Sequence, residues 1–256
     1  MAGVVAAAMI VGVLLFAGGL IRNLPLSALA AVVIVAGLSL LDLVSFRWLL
    51  RVRPTEFLLS ATALVGVVVF GVLWGIVIAV GLSLAEFVRR QWRPYDAVLG
   101  RVHGTKGYHD IDRHPEAEQI PGLLIYRFDA PIFFANAEYL RRRVQAVVKQ
   151  QRAAGGVVNR VLFAAEPITD IDTTGAEMLG RLLDDLRAQG IDVAFAELKG
   201  PVKDRLRRYG LYDSVGDRGF SPTLGVAIDK YLNDTGVEWV DWTDQPGRSV
   251  DGAAAG

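Results

Sequence analysis

Hydrophobic and polar positions follow two different rules along this chain, with the change near residue 88. Up to that point Ala, Val, Leu, Ile and Gly dominate, and the charges are confined to Arg22, Asp42, Arg47, Arg51, Arg53, Glu56 and Glu86. Gly3 to Ile21 is an uncharged run of about 19 residues, which at about 1.5 Å per helical residue matches the hydrocarbon core of a bilayer. A signal peptide is the competing reading, but it needs a basic start and a shorter apolar stretch, and Met1 is followed directly by Ala2, Gly3 and Val4. Leu24 to Leu41 is a second apolar run, opened by Pro25 in its first turn and closed by Asp42. Phe57 to Val88 is too long for one straight crossing and short for two full ones. Arg47, Arg51 and Arg53 precede it, and Arg89, Arg90 and Arg93 follow it. The positive-inside rule puts both flanks in the cytoplasm, so the number of crossings is even. The pattern predicts two short, tightly joined helices that break within Phe70-Gly71-Val72-Leu73-Trp74-Gly75. Counting back, the 42–54 loop is cytoplasmic, the Arg22 loop external, and Met1 inside. A water-soluble protein with very apolar helices has no use for three such stretches in succession.

After Pro94 short apolar segments alternate with turn residues. Strands are predicted at Ala97–Val102, Gly122–Phe128, Ile132–Phe134, Val157–Ala165 and Ile191–Ala196, with a polar loop rich in Gly, His and Asp after the first. Ala135–Ala154 has Leu140, Val144, Val147 and Val148 on one face, the spacing of an amphipathic helix. Thr174–Gln189 repeats the pattern through Met178, Leu179, Leu182, Leu183 and Leu186 and is stopped by Gly190. Helices are also predicted at Pro201–Tyr209 and Thr223–Leu232. Strands alternating with helices specify a sheet covered by helices. The tail from Asp244, rich in Gly, Ser and Ala, has little to bury and is expected to be disordered.

Composition adds two exclusions. The 27 Lys and Arg residues balance 27 Asp and Glu, so net charge averages two unlike halves and gives no indication of a nucleic-acid partner. With no Cys, thiol catalysis, disulfides and thiolate metal sites are absent.

Several runs now carry a resemblance. Asn23-Leu24-Pro25 at the head of a span, Arg93-Pro94, Gly107-Tyr108-His109-Asp110, and Asp129-Ala-Pro-Ile-Phe-Phe-Ala-Asn136 resemble the C-terminal portion of SulP sulfate permeases. The second half is similar to the STAS domain of sulfate transporters and anti-sigma factor antagonists, whose hallmark loop is matched by Thr169-Asp170-Ile171-Asp172-Thr173-Thr174-Gly175. The resemblance implies secondary transport of a small anion such as sulfate or bicarbonate. It also implies an anion site among helices earlier than the roughly four kept here, near the bilayer midplane. No substrate residue is carried over, and the chain by itself is expected not to transport.

In soluble antagonists the second hydroxyl of the hallmark loop is phosphorylated, and Thr174 stands at that place, beside Asp172, Thr173 and Gly175. The structural alternative is a capping box, Thr174 with Glu177. Lys199, Lys203, Arg205, Arg207 and Arg208 form the most basic short stretch of the second half. They are read either as a contact for anionic head groups or transporter loops, or as a solvated helix face. His103, His109 and His114 with Asp110 and Asp112 fit no standard zinc spacing. There is no Gly-x-Ser-x-Gly elbow, and the glycines at 71–75 lack the Gly-Lys-Ser/Thr of a phosphate loop.

The fold class is α-helical membrane segments followed by an α/β STAS-like domain, a β-sheet covered by helices. Residues 1–93 are expected to be the membrane segment, 94–120 a linker with the first strand, 121–235 the cytoplasmic STAS domain and 236–256 a tail. The reading is of a non-enzyme in the cell (inner) membrane, without cofactor. Its expected partners are the bilayer and either the rest of a transporter or a second copy in a homodimer, with the anion bound only in a complete transporter. A membrane-tethered STAS module binding a kinase or anti-sigma-type partner is the alternative.

Overall fold

The structure, a computed structural model, describes residues 2–16, 25–39 and 42–239. The chain forms two compact units, residues 1–83 and 84–256. The first contains helices α1 (Ala2–Phe16), α2 (Leu26–Ser39), α3 (Leu43–Val52), α4 (Pro54–Phe70) and the start of α5 (Val72–Trp92). Among the described residues α5 is the one helix long and apolar enough to cross a membrane by length and composition, and Gly3–Val13, Leu26–Ser39 and Pro54–Phe70 are shorter apolar helices. Arg22, Asn23, Leu24 and the end of the first expected span lie outside the described residues, as does the tail from Asp244.

The 42–54 segment, read from sequence as a loop, is largely the helix α3. It contains no Gly or Pro until Pro54, and Pro54 then sets its end. The residue before a proline is pushed out of the α region, and Arg53 lies outside it, with φ −143° and ψ 78°. Pro54 opens α4 in the first turn, where its missing N–H costs nothing. The break between α4 and α5 falls at Gly71, whose φ of +85° a Cβ-bearing residue rarely adopts. Beyond it the chain folds back tightly. An added Cβ on Gly75 would lie 2.6 Å from Val67 Cα, and one on Gly66 would lie 3.6 Å from Gly75 Cα.

In the second unit six strands form one sheet in the order β2-β1-β3-β4-β5-β6. They are β1 (Asp96–Arg101), β2 (Tyr108–Asp110), β3 (Gly122–Phe128), β4 (Val158–Ala164), β5 (Asp192–Ala196) and β6 (Phe220–Ser221). β1 runs antiparallel to β2 and β3, while β3 to β6 are mutually parallel. The side-chain period of two splits the core. Leu124, Tyr126, Phe128, Val161, Phe163, Val193 and Phe195 share one buried cluster with residues of α6 (Ala137–Ala153), α7 (Thr173–Ala188) and α8 (Gly200–Arg208). Leu123, Ile125, Leu162, Ala164, Ala194 and Ala196 share the other with Ala227, Ile228 and Tyr231 of α10 (Leu224–Thr235). The polar loop after β1 holds β2, and β6 and the short helix α9 (Tyr212–Val215) were not legible from pattern. Ile132–Phe134 is not a strand. Ile132 makes an isolated parallel bridge to Ile171, and α6 starts at Ala137.

The close approach at Gly75 gives a test. Gly75→Val would drive a side chain into the Val67 backbone, costing on the order of 1–3 kcal/mol, and should lower the thermal midpoint of the full chain in detergent micelles. Gly81→Val, at a position with open space around it, should leave the midpoint near wild type. Equal midpoints for the two variants would contradict the tight turn.

Candidate functional site

The hallmark loop is built around one carboxylate. Asp172 takes an extended conformation before α7, and its Oδ1 accepts the Gly175 N–H at 2.6 Å. Its Oδ2 accepts the Phe134 N–H at 3.0 Å, 38 residues away in sequence. Backbone bonds complete the junction, from Ile132 N–H to Asp170 O (3.0 Å) and from Asp172 N–H to Ile132 O (3.2 Å). Gly175 is required there, since a Cβ would come within 2.7 Å of Ile132 O. The Asp129–Asn136 run and the hallmark loop, separate in sequence, are thus one docked structure. Asn136, fully buried, holds the first run in shape. Its Oδ1 accepts the Phe133 N–H at 2.9 Å, and its Nδ2 donates to Pro131 O at 2.8 Å and to Gln91 O, near the end of α5, at 3.4 Å.

This geometry corrects the capping box. The cap is Asp172, Thr173 and Thr174 are the first helical residues, and Glu177 pairs with Arg181 at 2.6 Å instead of reaching back. The physical reason is that an Asp carboxylate is as good a cap acceptor as a threonine hydroxyl and, having two oxygens, serves two amides at once. Thr173 and Thr174 are exposed, and the Thr174 hydroxyl makes no hydrogen bond among the described residues.

The basic stretch is nearer to the loop than sequence indicated, and much of its charge is engaged. Arg205 forms an ion pair with Asp170 and donates to Ile171 O at 3.1 Å. Arg207 stands 4.1 Å over the Tyr212 ring and bonds Asp204 at 2.8 Å. Lys203 stands 5.6 Å over Phe220. Lys199 and Arg208 are exposed. Phe134, whose N–H is held by Asp172, is 70% exposed.

A second polar centre, missed from sequence, sits where the chain enters the sheet. The Asp96 side chain is 5% exposed. It accepts the Tyr126 hydroxyl (2.9 Å), the Tyr139 hydroxyl (2.8 Å) and Arg143 Nε (2.9 Å). Burial first, and then the Asp96 charge, push the Tyr126 phenol far above its ordinary value; burial and the Asp96 hydrogen bond raise Tyr139. Nearby, His109, Asp110 and His114 line a cavity of about 400 Å³ with Tyr95, Tyr108, Arg113, Arg127 and Asp129. His109 and His114 meet edge-on at 5.4 Å. Among the described residues no group of three or more His, Cys, Asp or Glu is arranged to hold a metal ion.

The two assignments of the cap separate by mutation. Asp172→Ala should cost about 0.5–2 kcal/mol for the lost cap. Thr174→Ala, which removes no bond, should fall within about 0.5 kcal/mol of wild type. Chemical denaturation of the full chain measures both, and a Thr174→Ala loss as large as that of Asp172→Ala would restore Thr174 as the cap.

Comparison with known proteins fits this two-part construction. The sulfate permease family matches residues 1–63, and the STAS domain matches residues 114–227. A probable sulfate transporter of Mycobacterium tuberculosis is 40% identical over 227 residues, covering 89% of this chain and 40% of the relative. Sulfate transporter 1.3 of Arabidopsis thaliana is 30% identical over 221 residues, covering 84% of this chain and 34% of the relative. The fold of the murine Solute Carrier 26 family member A9 anion transporter in its inward-facing state superposes with a TM-score of 0.69 at 18% identity, over 80% of this chain and 33% of that one. The chain therefore spans well under half the length of these relatives. The match of a sulfate permease segment and then of a STAS domain, together with the transporter relatives, places the chain in the sulfate permease family, with a STAS domain.

Proposed function

We propose that this chain is the C-terminal part of a SulP-type secondary transporter of a small inorganic oxyanion such as sulfate, and that it does not transport alone. The observation that carries this reading is the mismatch in coverage. The chain matches the mycobacterial relative over 89% of its own length but over only 40% of the relative's. Residues 1–93 are then the membrane segment, 94–120 the linker with the first strand, 121–235 the STAS domain on the cytoplasmic side of the cell membrane, and 236–256 the tail. The wide exposure of Val4, Met9, Phe16, Val33, Val68 and Leu73 supports embedding in lipid or among other membrane helices. Arg47, Arg51 and Arg53 on one flank, with Arg89, Arg90 and Arg93 on the other, support the orientation. Bound sulfate would belong to the complete transporter, whose partners also include a second copy. Phosphorylation of Thr174 would bring close to two negative charges to the start of α7, where they are favourably placed. Lys199, Lys203, Arg205, Arg207 and Arg208 would then form the contact of the STAS surface with head groups or transporter loops.

Radiolabelled sulfate uptake into liposomes holding the purified chain should equal that of empty liposomes; saturable uptake would refute the partial-transporter reading. Protease added outside sealed right-side-out vesicles should spare residues 94–256. Digestion of that segment from outside would overturn the orientation.

A further inference from the structure

We propose that α3 (Leu43–Val52) lies in the head-group layer of a leaflet containing anionic phospholipid, with Arg47 and Arg51 on the lipid phosphates. The inference rests on the membrane reading of residues 1–93 and adds a lipid-recognition element to it. Ten residues span about 15 Å, half of the roughly 30 Å of hydrocarbon that a crossing requires. α3 therefore does not cross, although it connects apolar helices on both sides, α2 and α4.

Its side chains divide into faces. Phe46 and Leu49, half-buried and three residues apart, lie on one side. Phe46 meets Phe57 of α4 edge-on, with ring centroids 5.8 Å apart. Arg47 and Arg51, four apart, form a stripe on the far side of the helix. Both are exposed, and neither makes an ion pair or a side-chain hydrogen bond among the described residues. Arg53, by contrast, is already paired with Glu56 at 2.5 Å. Trp48 and Leu50 flank the arginine stripe, 61% and 51% exposed. Two unpaired guanidinium groups between exposed apolar side chains, one of them Trp, suit the phosphate level of a bilayer. There long cationic side chains reach upward, indole rings settle, and guanidinium groups match phosphate oxygens two at a time. A neutral protein surface would leave both charges without a partner.

Because the chain has no cysteine, a spin label attached through a single substitution reports one position only. The full chain would be placed in nanodiscs of phosphatidylcholine with and without phosphatidylglycerol, carrying the label at Leu50→Cys or, as a reference, at Val68→Cys in α4. Oxygen and a water-soluble nickel chelate give the depth. The Val68→Cys label should report hydrocarbon in both discs. The Leu50→Cys label should report the phosphate level, with its oxygen-to-nickel accessibility ratio rising when phosphatidylglycerol is added. Adding Arg47→Gln and Arg51→Gln should abolish that rise and leave the Val68→Cys reading unchanged. A Leu50→Cys label equally water-accessible in both discs overturns the proposal, as does one shielded from both reagents, or a rise that survives loss of both arginines. A Val68→Cys label outside hydrocarbon overturns the membrane reading itself, and the proposal with it.

Discussion

The second unit depends on a single carboxylate serving two amides. A helix start leaves backbone N–H groups without partners, and so does a turn that leaves the sheet. Asp172 satisfies one of each, Gly175 N–H with Oδ1 and Phe134 N–H with Oδ2. The bridge fixes the start of α7 against the segment that launches α6, and both helices then pack on the same face of the sheet. Ile132 is drawn into the joint through backbone bonds on both sides, to Asp170 and from Asp172. The resulting gap is so narrow that only a glycine fits at position 175.

This joint leads back along the chain to the end of α5. Asn136 closes the turn with its amide oxygen and reaches Gln91 O with its amide nitrogen, so one buried side chain contacts both the turn and the last turn of α5. A few residues on, Asp96 gathers Tyr126 of β3 with Tyr139 and Arg143 of α6. A buried carboxylate is costly unless it is paired and hydrogen-bonded, and here it takes three donors, one of them the Arg143 guanidinium. The two centres fix the segment between α5 and β1 against α6 at either end. The exposed Thr173 and Thr174 hydroxyls and Phe134 therefore sit on a rigid base.

The sequence was most legible where periodicity and packing agree. Leu140, Val144, Val147 and Val148 of α6 all face the core, as do Leu179, Leu182, Leu183 and Leu186 of α7. It was least legible where a tertiary partner decides. β2 has three residues and β6 two, too short to show alternation, and each exists because a neighbouring strand supplies the hydrogen bonds. Ile132–Phe134 has strand-like residues but finds only one bridge, because the Asn136 turn bends it away from the sheet. The cap was misplaced by two residues because a local pattern, Thr174 to Glu177, competes with Asp172, whose second oxygen has a partner no local pattern reveals. Asp96 gave no signal at all, since its three donors come from residues 30 to 47 positions away.

The break between α4 and α5 obeys the same backbone accounting in an apolar setting. Irregular backbone within hydrocarbon is tolerated only where the amides it frees find partners in the protein. At this turn Gly71 N–H goes to Val67 O at 3.0 Å, and Gly75 N–H goes to Gly71 O at 2.9 Å. These two bonds bracket the turn, which has the positive φ of Gly71 and the bare Cα of Gly75 together. A side chain at the first would force the backbone out of the left-handed region, and one at the second would push the two helices apart. The two glycines together permit the reversal between α4 and α5.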